Sequence, residues 1–234
     1  MAIQHPLQFD YGNHYNFSTF YAGNNQELIQ QLQKNASGKG EQQIFFWGSQ
    51  GLGKSHLLQA CCFEAHLKQR SNFYLLLESE ALPDPDILLG LEKTQLVCID
   101  NIDNITGNQE WEYALFRFYN LHQELQNHLI ISSSSPANAL NISLPDLKTR
   151  LGWGLNMKIN SLNDEQRIAA LTMKAQTMGL ELTPRTANYL LTRCVRDLPL
   201  LWEFLNKIDH ATLAAQRKPT IPLIKEILQQ NQSL

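Results

Sequence analysis

Through the first two-thirds of the chain, short apolar runs alternate with segments whose apolar positions recur every three or four residues. Ile44-Phe45-Phe46-Trp47 is apolar at every position, the mark of a strand buried on both faces. Phe73–Leu77, Leu96–Ile99 and Leu129–Ile131 share that character, and Leu155–Ile159 reads as a fifth strand. Between them, Leu28, Ile29 and Leu32 fall on one helical face, with Asn24 or Asn25 placed as its cap and Ala36-Ser37-Gly38-Lys39-Gly40 as its end. The spacing of Leu57, Leu58, Cys61 and Ala65 predicts a helix from Lys54 to about Lys68. Another is predicted over Trp111–Leu125 through Leu115, Phe118, Tyr119, Leu121 and Leu125. Strand alternating with helix predicts a parallel sheet covered on both faces, an α/β fold.

Beyond about Asn160 the strand signal stops. Asn163 or Asp164 caps a helix carrying Ile168, Leu171 and Ala175 that ends near Gly179, and Thr183-Pro184 opens a second through Ala187, Leu190 and Leu191. A third carries Leu200, Leu201, Phe204, Leu205 and Ile208, and Thr220–Leu228 gives a fourth with Pro222 in its first turn. The division expected is an extended arm over 1–16, an α/β base over 17–160 and a small helical lid over 161–234.

Composition narrows the classes. With 234 residues, 43% of them hydrophobic, the chain can bury a real core, which excludes a wholly disordered protein. A formal charge of −3 argues against a general nucleic-acid binder. No apolar stretch approaches the length of a membrane span, and the N-terminus lacks the basic-then-apolar pattern of a secretory signal. Cys61, Cys62, Cys98 and Cys194 show no C-x-x-C spacing and read as buried free thiols, which points to the cytoplasm.

The strongest chemical signal is Gly48-Ser49-Gln50-Gly51-Leu52-Gly53-Lys54-Ser55, a complete G-x-x-x-x-G-K-[ST] phosphate-binding loop. It follows a strand and opens a helix, the setting that separates a nucleotide loop from a glycine turn with a stray lysine. Backbone N–H groups would converge on phosphate oxygens, Lys54 would reach the β- and γ-phosphates of ATP or the phosphates of ADP, and Ser55 would ligate Mg²⁺. Asp100, ending the Leu96–Ile99 run, is placed at the sheet edge to hold Mg²⁺ through water. The residue after it is Asn101, and an amide orients water but accepts a proton poorly. Asp103 lies two residues further on, at a distance that counts against its replacing Asn101. One hydroxyl among Ser132–Ser135 would sense phosphate or position water, with Ser132 and Ser134 the candidates. Arg150 and Arg196, taken alone, read as solvated charges at helix ends.

Together the phosphate loop, Ile99-Asp100-Asn101-Ile102, Ser132–Ser135 and the stretch Ser143-Leu144-Pro145-Asp146-Leu147-Lys148-Thr149-Arg150-Leu151-Gly152-Trp153-Gly154 resemble the DnaA branch of the AAA+ ATPases. Within it they are most similar to the shorter Hda family of regulatory DnaA homologues. The likeness runs through the lid to Ala215–Leu228, nearly the whole chain. It implies a five-stranded AAA+ base with nucleotide between base and lid, and places Phe17 and Phe20 near the adenine end. Arg150 then matches the arginine finger that enters a neighbouring subunit's pocket, and Arg196 the phosphate-sensing arginine of the lid. DnaA initiators continue into a helix-turn-helix DNA reader, and no such domain is expected after this lid.

Gln4-His5-Pro6-Leu7-Gln8-Phe9 resembles the peptide that binds the bacterial DNA polymerase III sliding clamp (β subunit). On an extended chain Leu7 and Phe9 face one side and can share a groove while Gln4 makes polar contacts. The expectation is therefore a regulator held on the DNA-loaded clamp, nucleoid-associated by that route, that presents Arg150 to ATP bound by the DnaA initiator and so prevents re-initiation of replication. An autonomous ATPase of the DnaA and helicase-loader clade is the alternative, favoured by the complete loop and opposed by Asn101. A small-molecule P-loop kinase fits less well, having no use for four compact lid helices. Homo-oligomer formation is left open.

Overall fold

The computed structural model describes residues 15–193, 198–215 and 219–231. Five strands, β1 (Gln43–Trp47), β2 (Asn72–Leu76), β3 (Leu96–Asp100), β4 (His128–Ser133) and β5 (Leu155–Lys158), form one sheet in the order β2-β3-β4-β1-β5. Every pairing is parallel, with Phe45 opposite Ile131 and Asn156, and Cys98 opposite Tyr74 and Ile130.

Parallel neighbours require crossover helices, and these cover both faces. Alternate strand residues therefore enter different cores. Ile44, Phe46, Leu96, Cys98 and Ile130 pack with α1 (Gln26–Ala36) and α2 (Lys54–Leu67). Phe45, Val97, Ile99, Leu129 and Ile131 pack with α3 (Gln109–Glu124) and α4 (Pro145–Leu151). After β5 come α5 (Asp164–Thr177), α6 (Pro184–Arg193), α7 (Leu198–Ala215) and α8 (Ile221–Asn231). They close on a third core containing Leu171, Leu190, Leu205, Ile208 and Ile224. None of the described helices is long and apolar enough to cross a membrane.

Several sequence expectations are refined. Asn25 occupies the N-terminal position of α1, but its side chain does not cap it: the amide exchanges two hydrogen bonds with the backbone of Asn160, at 3.0 and 2.7 Å. That pair ties the start of α1 to the exit of β5. Asn24 instead accepts from Gln166, so neither asparagine caps the helix. Asn163 is the cap of α5, with Gln166 completing a reciprocal capping box. Helix α4 carries Arg150 near its C-terminal end as expected, but periodicity gives no bounds for so short an element. Leu121, Leu125 and Leu200, counted above on apolar faces, point largely to solvent. The arm residues Gln4, Leu7 and Phe9, together with Arg196 and Cys194, lie outside the described residues.

Candidate nucleotide cleft and an outlying arginine

The phosphate loop leaves the sheet at Gly48, whose N–H donates to Ser133 O at 3.1 Å while Ile159 N donates to Trp47 O at 2.8 Å. This seat has no room for a side chain, since a Cβ on Gly48 would lie 2.4 Å from Ile159 Cγ2. Gly51 and Gly53 take φ of 81° and 87°, left-handed conformations that turn the loop into α2. Gly53 also lies under Phe20, where a Cβ would come within 2.7 Å of ring carbon Cε2. Lys54, the first residue of α2, folds back over the loop, its Nζ donating to Gly48 O at 2.8 Å and Ser49 O at 3.1 Å. Burial lowers its pKa, while Asp100 and Asp103 pull in the opposite direction. The first N–H groups of α2 have no intrahelical acceptor, so the loop presents donors and one ammonium to the same space.

Two carboxylates stand at the carboxyl ends of β3 and β4. Asp100 is fully buried; Oδ2 accepts from the Tyr74 hydroxyl at 2.8 Å and Oδ1 from the Ser132 hydroxyl. Burial and the Asp100 charge hold the Tyr74 phenol well above its usual range. Ser132 Oγ also accepts from Asn101 N at 3.2 Å, which fixes Asn101 in a left-handed conformation at φ 59°. Asp103 is clasped by serines: Oδ1 accepts from Ser133 Oγ at 2.8 Å and Ser134 Oγ at 2.7 Å, Oδ2 from Ser134 N at 2.8 Å. Thus the Ser132–Ser134 run orients both acids. Ser132 is buried behind Asp100, whereas Ser134 borders the open cleft.

That cleft, about 870 Å³, is lined by the loop residues Gln50–His56, by Asn101, Asp103 and Ser134, and by Phe20 and Tyr21. Across it stand Met173 and Lys174 of α5 and Trp202 and Asn206 of α7, so the helical unit forms its far wall. His56 ties the layers together: Nε2 lies 3.0 Å from Asn16 O, and Tyr15 and Phe20 pack edge-on against the ring. Burial lowers its pKa, as does the Lys174 charge. The lysine, the glycine loop and Ser55 line the cleft and fit a nucleoside polyphosphate, while Asp100 is buried nearby with its oxygens held by Tyr74 and Ser132. No group of three or more His, Cys, Asp or Glu suited to a metal occurs among the described residues. A divalent ion held here by Ser55 and Asp100 would therefore share its coordination with phosphate oxygens and water, as Mg²⁺ commonly does.

Arg150 is elsewhere. It is the penultimate residue of α4, and one amide gathers carbonyls at and just beyond the helix end: Gln43 Nε2 donates to Arg150 O at 3.1 Å, Leu151 O at 3.2 Å and Trp153 O at 3.1 Å. Gln43 is the first residue of β1, and the phosphate loop follows the last. Five residues of strand, about 17 Å, separate the two edges. The guanidinium centre stands over three aromatic rings, 5.1 Å from Phe116, 5.4 Å from Tyr119 and 5.2 Å from Trp153. No carboxylate pairs with it among the described residues.

Two supporting residues, Gln43 and Glu112, escaped sequence reading, and Asn25, expected as a cap, serves instead as a tie to Asn160. Gln43 looks like an ordinary polar residue, and nothing in the sequence marks it. Glu112 left a signal: its spacing to Leu115 and Tyr119 puts it on the buried face of α3. There its carboxylate, 1% exposed, accepts four hydrogen bonds from the backbone N–H groups of Gly107, Ser143 and Leu144. It thereby fixes the approach to α4.

Comparison with known proteins agrees with this architecture. Residues 164–228 match the Hda lid-domain family, and residues 11–83 match the bacterial DnaA ATPase-domain family. A Haemophilus influenzae protein described as uncharacterized is 39% identical over 229 residues, covering 97% of this chain and 99% of that one. Domain III of the Thermotoga maritima replication initiation protein DnaA superposes with a TM-score of 0.79 at 20% identity, over 93% of this chain and 97% of that chain. AMPPCP-bound DnaA from Aquifex aeolicus gives 0.72 at 21% identity, over 85% and 66%. At such identities the structural likenesses speak for the fold. With the family matches they lead to one assignment: the chain belongs to the DnaA branch of the AAA+ proteins, close to Hda.

Proposed function

We propose that this protein inactivates the DnaA initiator by supplying Arg150 to the ATP that DnaA holds, while its own nucleotide organises the scaffold. The observation that carries this reading is the separation of Arg150 from the phosphate loop of its own chain, at the opposite edge of the sheet. A guanidinium without a carboxylate partner among the described residues, half-exposed at that edge, is suited to a neighbour's phosphate. Its fixed charge would stabilise charge developing on the transferred phosphoryl group, an effect worth about 10³–10⁵ in rate in other P-loop systems.

In its own cleft, Lys54, Ser55, Asp100 and the loop N–H groups would hold ADP or ATP with Mg²⁺, and Arg196 would meet the phosphates from the helical side. A bound nucleotide and Mg²⁺ supply the charge that draws these groups together. Asn101 orients water without taking its proton, which keeps intrinsic turnover slow. Ser132 acts by aligning Asp100 and Asn101, and Ser134 by holding Asp103 at the cleft. Gln4, Leu7 and Phe9 would dock on the sliding clamp, concentrating the protein on replicated DNA in the cytoplasm.

The test is ATP hydrolysis by DnaA with and without this protein and DNA-loaded clamp. Stimulation is expected from the native protein. Arg150→Ala should lose it while keeping nucleotide and clamp binding, and Gln4→Ala with Leu7→Ala should lose clamp binding with the fold intact. Stimulation that survives Arg150→Ala refutes the reading. A second reading, autonomous ATP hydrolysis, draws on the placement of Asp103: it borders the cleft and acts on the charge of Lys54. Brisk turnover by the isolated protein, abolished by Lys54→Ala, would favour it.

A further inference from the structure

The three rings around Arg150 go beyond what an arginine finger requires for its charge. We propose that Trp153, with Phe116 and Tyr119, is a positioning residue that pre-orients the Arg150 guanidinium for a phosphate on a partner subunit. This rests on the function proposed above. A buried or surface arginine is usually ordered by a carboxylate, and such a pair must break before a phosphate can be gripped. Aromatic faces attract the cation through the ring quadrupole but do not consume the five in-plane N–H donors. The cage therefore orders the side chain and leaves its fork free.

The walls are unequal. Tyr119 is buried and Phe116 half-buried against the core, so those two are fixed by packing. Trp153 is 47% exposed, an unusual position for an indole, yet its backbone is held firmly. Its N–H donates to Arg150 O at 3.0 Å, and its carbonyl accepts from Gln43 Nε2. Gly154 follows at φ 67°, so close to β1 that a Cβ would lie 2.4 Å from Gln43 O. Caged residue and outer wall thus hang from a single anchor at the start of the sheet. An exposed indole whose ring covers the guanidinium and whose backbone is pinned suits orientation of Arg150 better than support of the core.

The experiment compares native protein, Trp153→Ala, Trp153→Phe and Arg150→Ala in clamp-dependent ATP hydrolysis by DnaA, titrating each protein to saturation. Misorientation should lower the maximal stimulated rate of Trp153→Ala by about 10-fold or more, because small displacements of a charge-stabilising group cost that much. The half-saturating concentration should stay near native. Trp153→Phe should restore most of the rate, since a ring face is what the guanidinium needs. Thermal unfolding of Trp153→Ala should be close to native, as for most substitutions of exposed residues. An unchanged maximal rate, an increase, or a Phe variant as defective as the Ala variant overturns the proposal. If Arg150→Ala also leaves stimulation intact, the proposed function falls as well. If only Arg150→Ala abolishes it, the finger stands and the cage does not.

Discussion

Replacing Glu112 by glutamine tests whether the approach to Arg150 is held by one buried charge. The two carboxylate oxygens receive four bonds: Oε1 from Gly107 N at 2.9 Å and Ser143 N at 3.1 Å, Oε2 from Ser143 N at 2.9 Å and Leu144 N at 2.9 Å. Whichever way a glutamine amide is turned, its NH₂ faces at least one of these N–H donors. The least costly orientation gives up the bonds on one oxygen and sets donor against donor. A hydrogen bond to a charged group contributes about 1.5–3 kcal/mol, and an orphaned buried donor costs a comparable amount. The native structure should therefore lose about 2–4 kcal/mol, or about 5–15 °C in unfolding midpoint for a chain of this size. Circular dichroism melting of Glu112→Gln against native protein measures it. A midpoint within about 2 °C of native, less than 1 kcal/mol on the same scale, would refute the reasoning that this carboxylate clamps the Ser143–Leu144 turn.

Two further predictions concern acid sensitivity and the phosphate loop. His122 is buried on α3 with Nε2 3.0 Å from Thr94 O, and burial pushes its pKa down to about 4 from 6.5. The unfolded chain takes up a proton below 6.5 and the folded one resists until about 4, so stability is complete above 6.5 and drains as pH falls through that window. The loss approaches about 3 kcal/mol, and denaturant titrations at a series of pH values should show a shallower slope in His122→Gln. An identical slope in the variant would assign the acid sensitivity to other groups. Gly53→Ala should strain the left-handed loop by about 1–2 kcal/mol and push Phe20 from its seat. Fluorescent-nucleotide titration should show weakened binding, and native affinity would mean that the loop adapts without cost.

The fold was readable because its signals are local and repeated. Strands buried on both faces leave uninterrupted apolar runs, and the phosphate loop names its own neighbours: a strand before it, a helix after. Asp100 could be placed at the sheet edge because it ends an apolar run. The hydroxyls that hold it could not be foreseen, since Tyr74 and Ser132 lie 26 residues before and 32 after and meet it only when β2, β3 and β4 pair. Spacing alone made Asp103 look remote, yet the 3₁₀ turn Ile102–Ile105 folds it back to Ser133 and Ser134 at the cleft. Short α4 was hidden because seven residues give too little periodicity, and its anchor, Gln43, is more than a hundred positions away. Arg150 could be named from family resemblance, but its aromatic surroundings needed the packing of α3 against α4.

The two ends of β1 also bear on how such molecules can line up. Under the proposed function, the donor of positive charge and its receptor occupy opposing ends of the same ribbon, so a contact made through the donor end alone leaves the receptor end of that chain uncovered. Copies joined through that one contact in succession would form a directional row, front to back, like coins in a stack. This protein would sit in such a column with a defined up and down, acting on the member at one end and leaving its own cleft facing the other way.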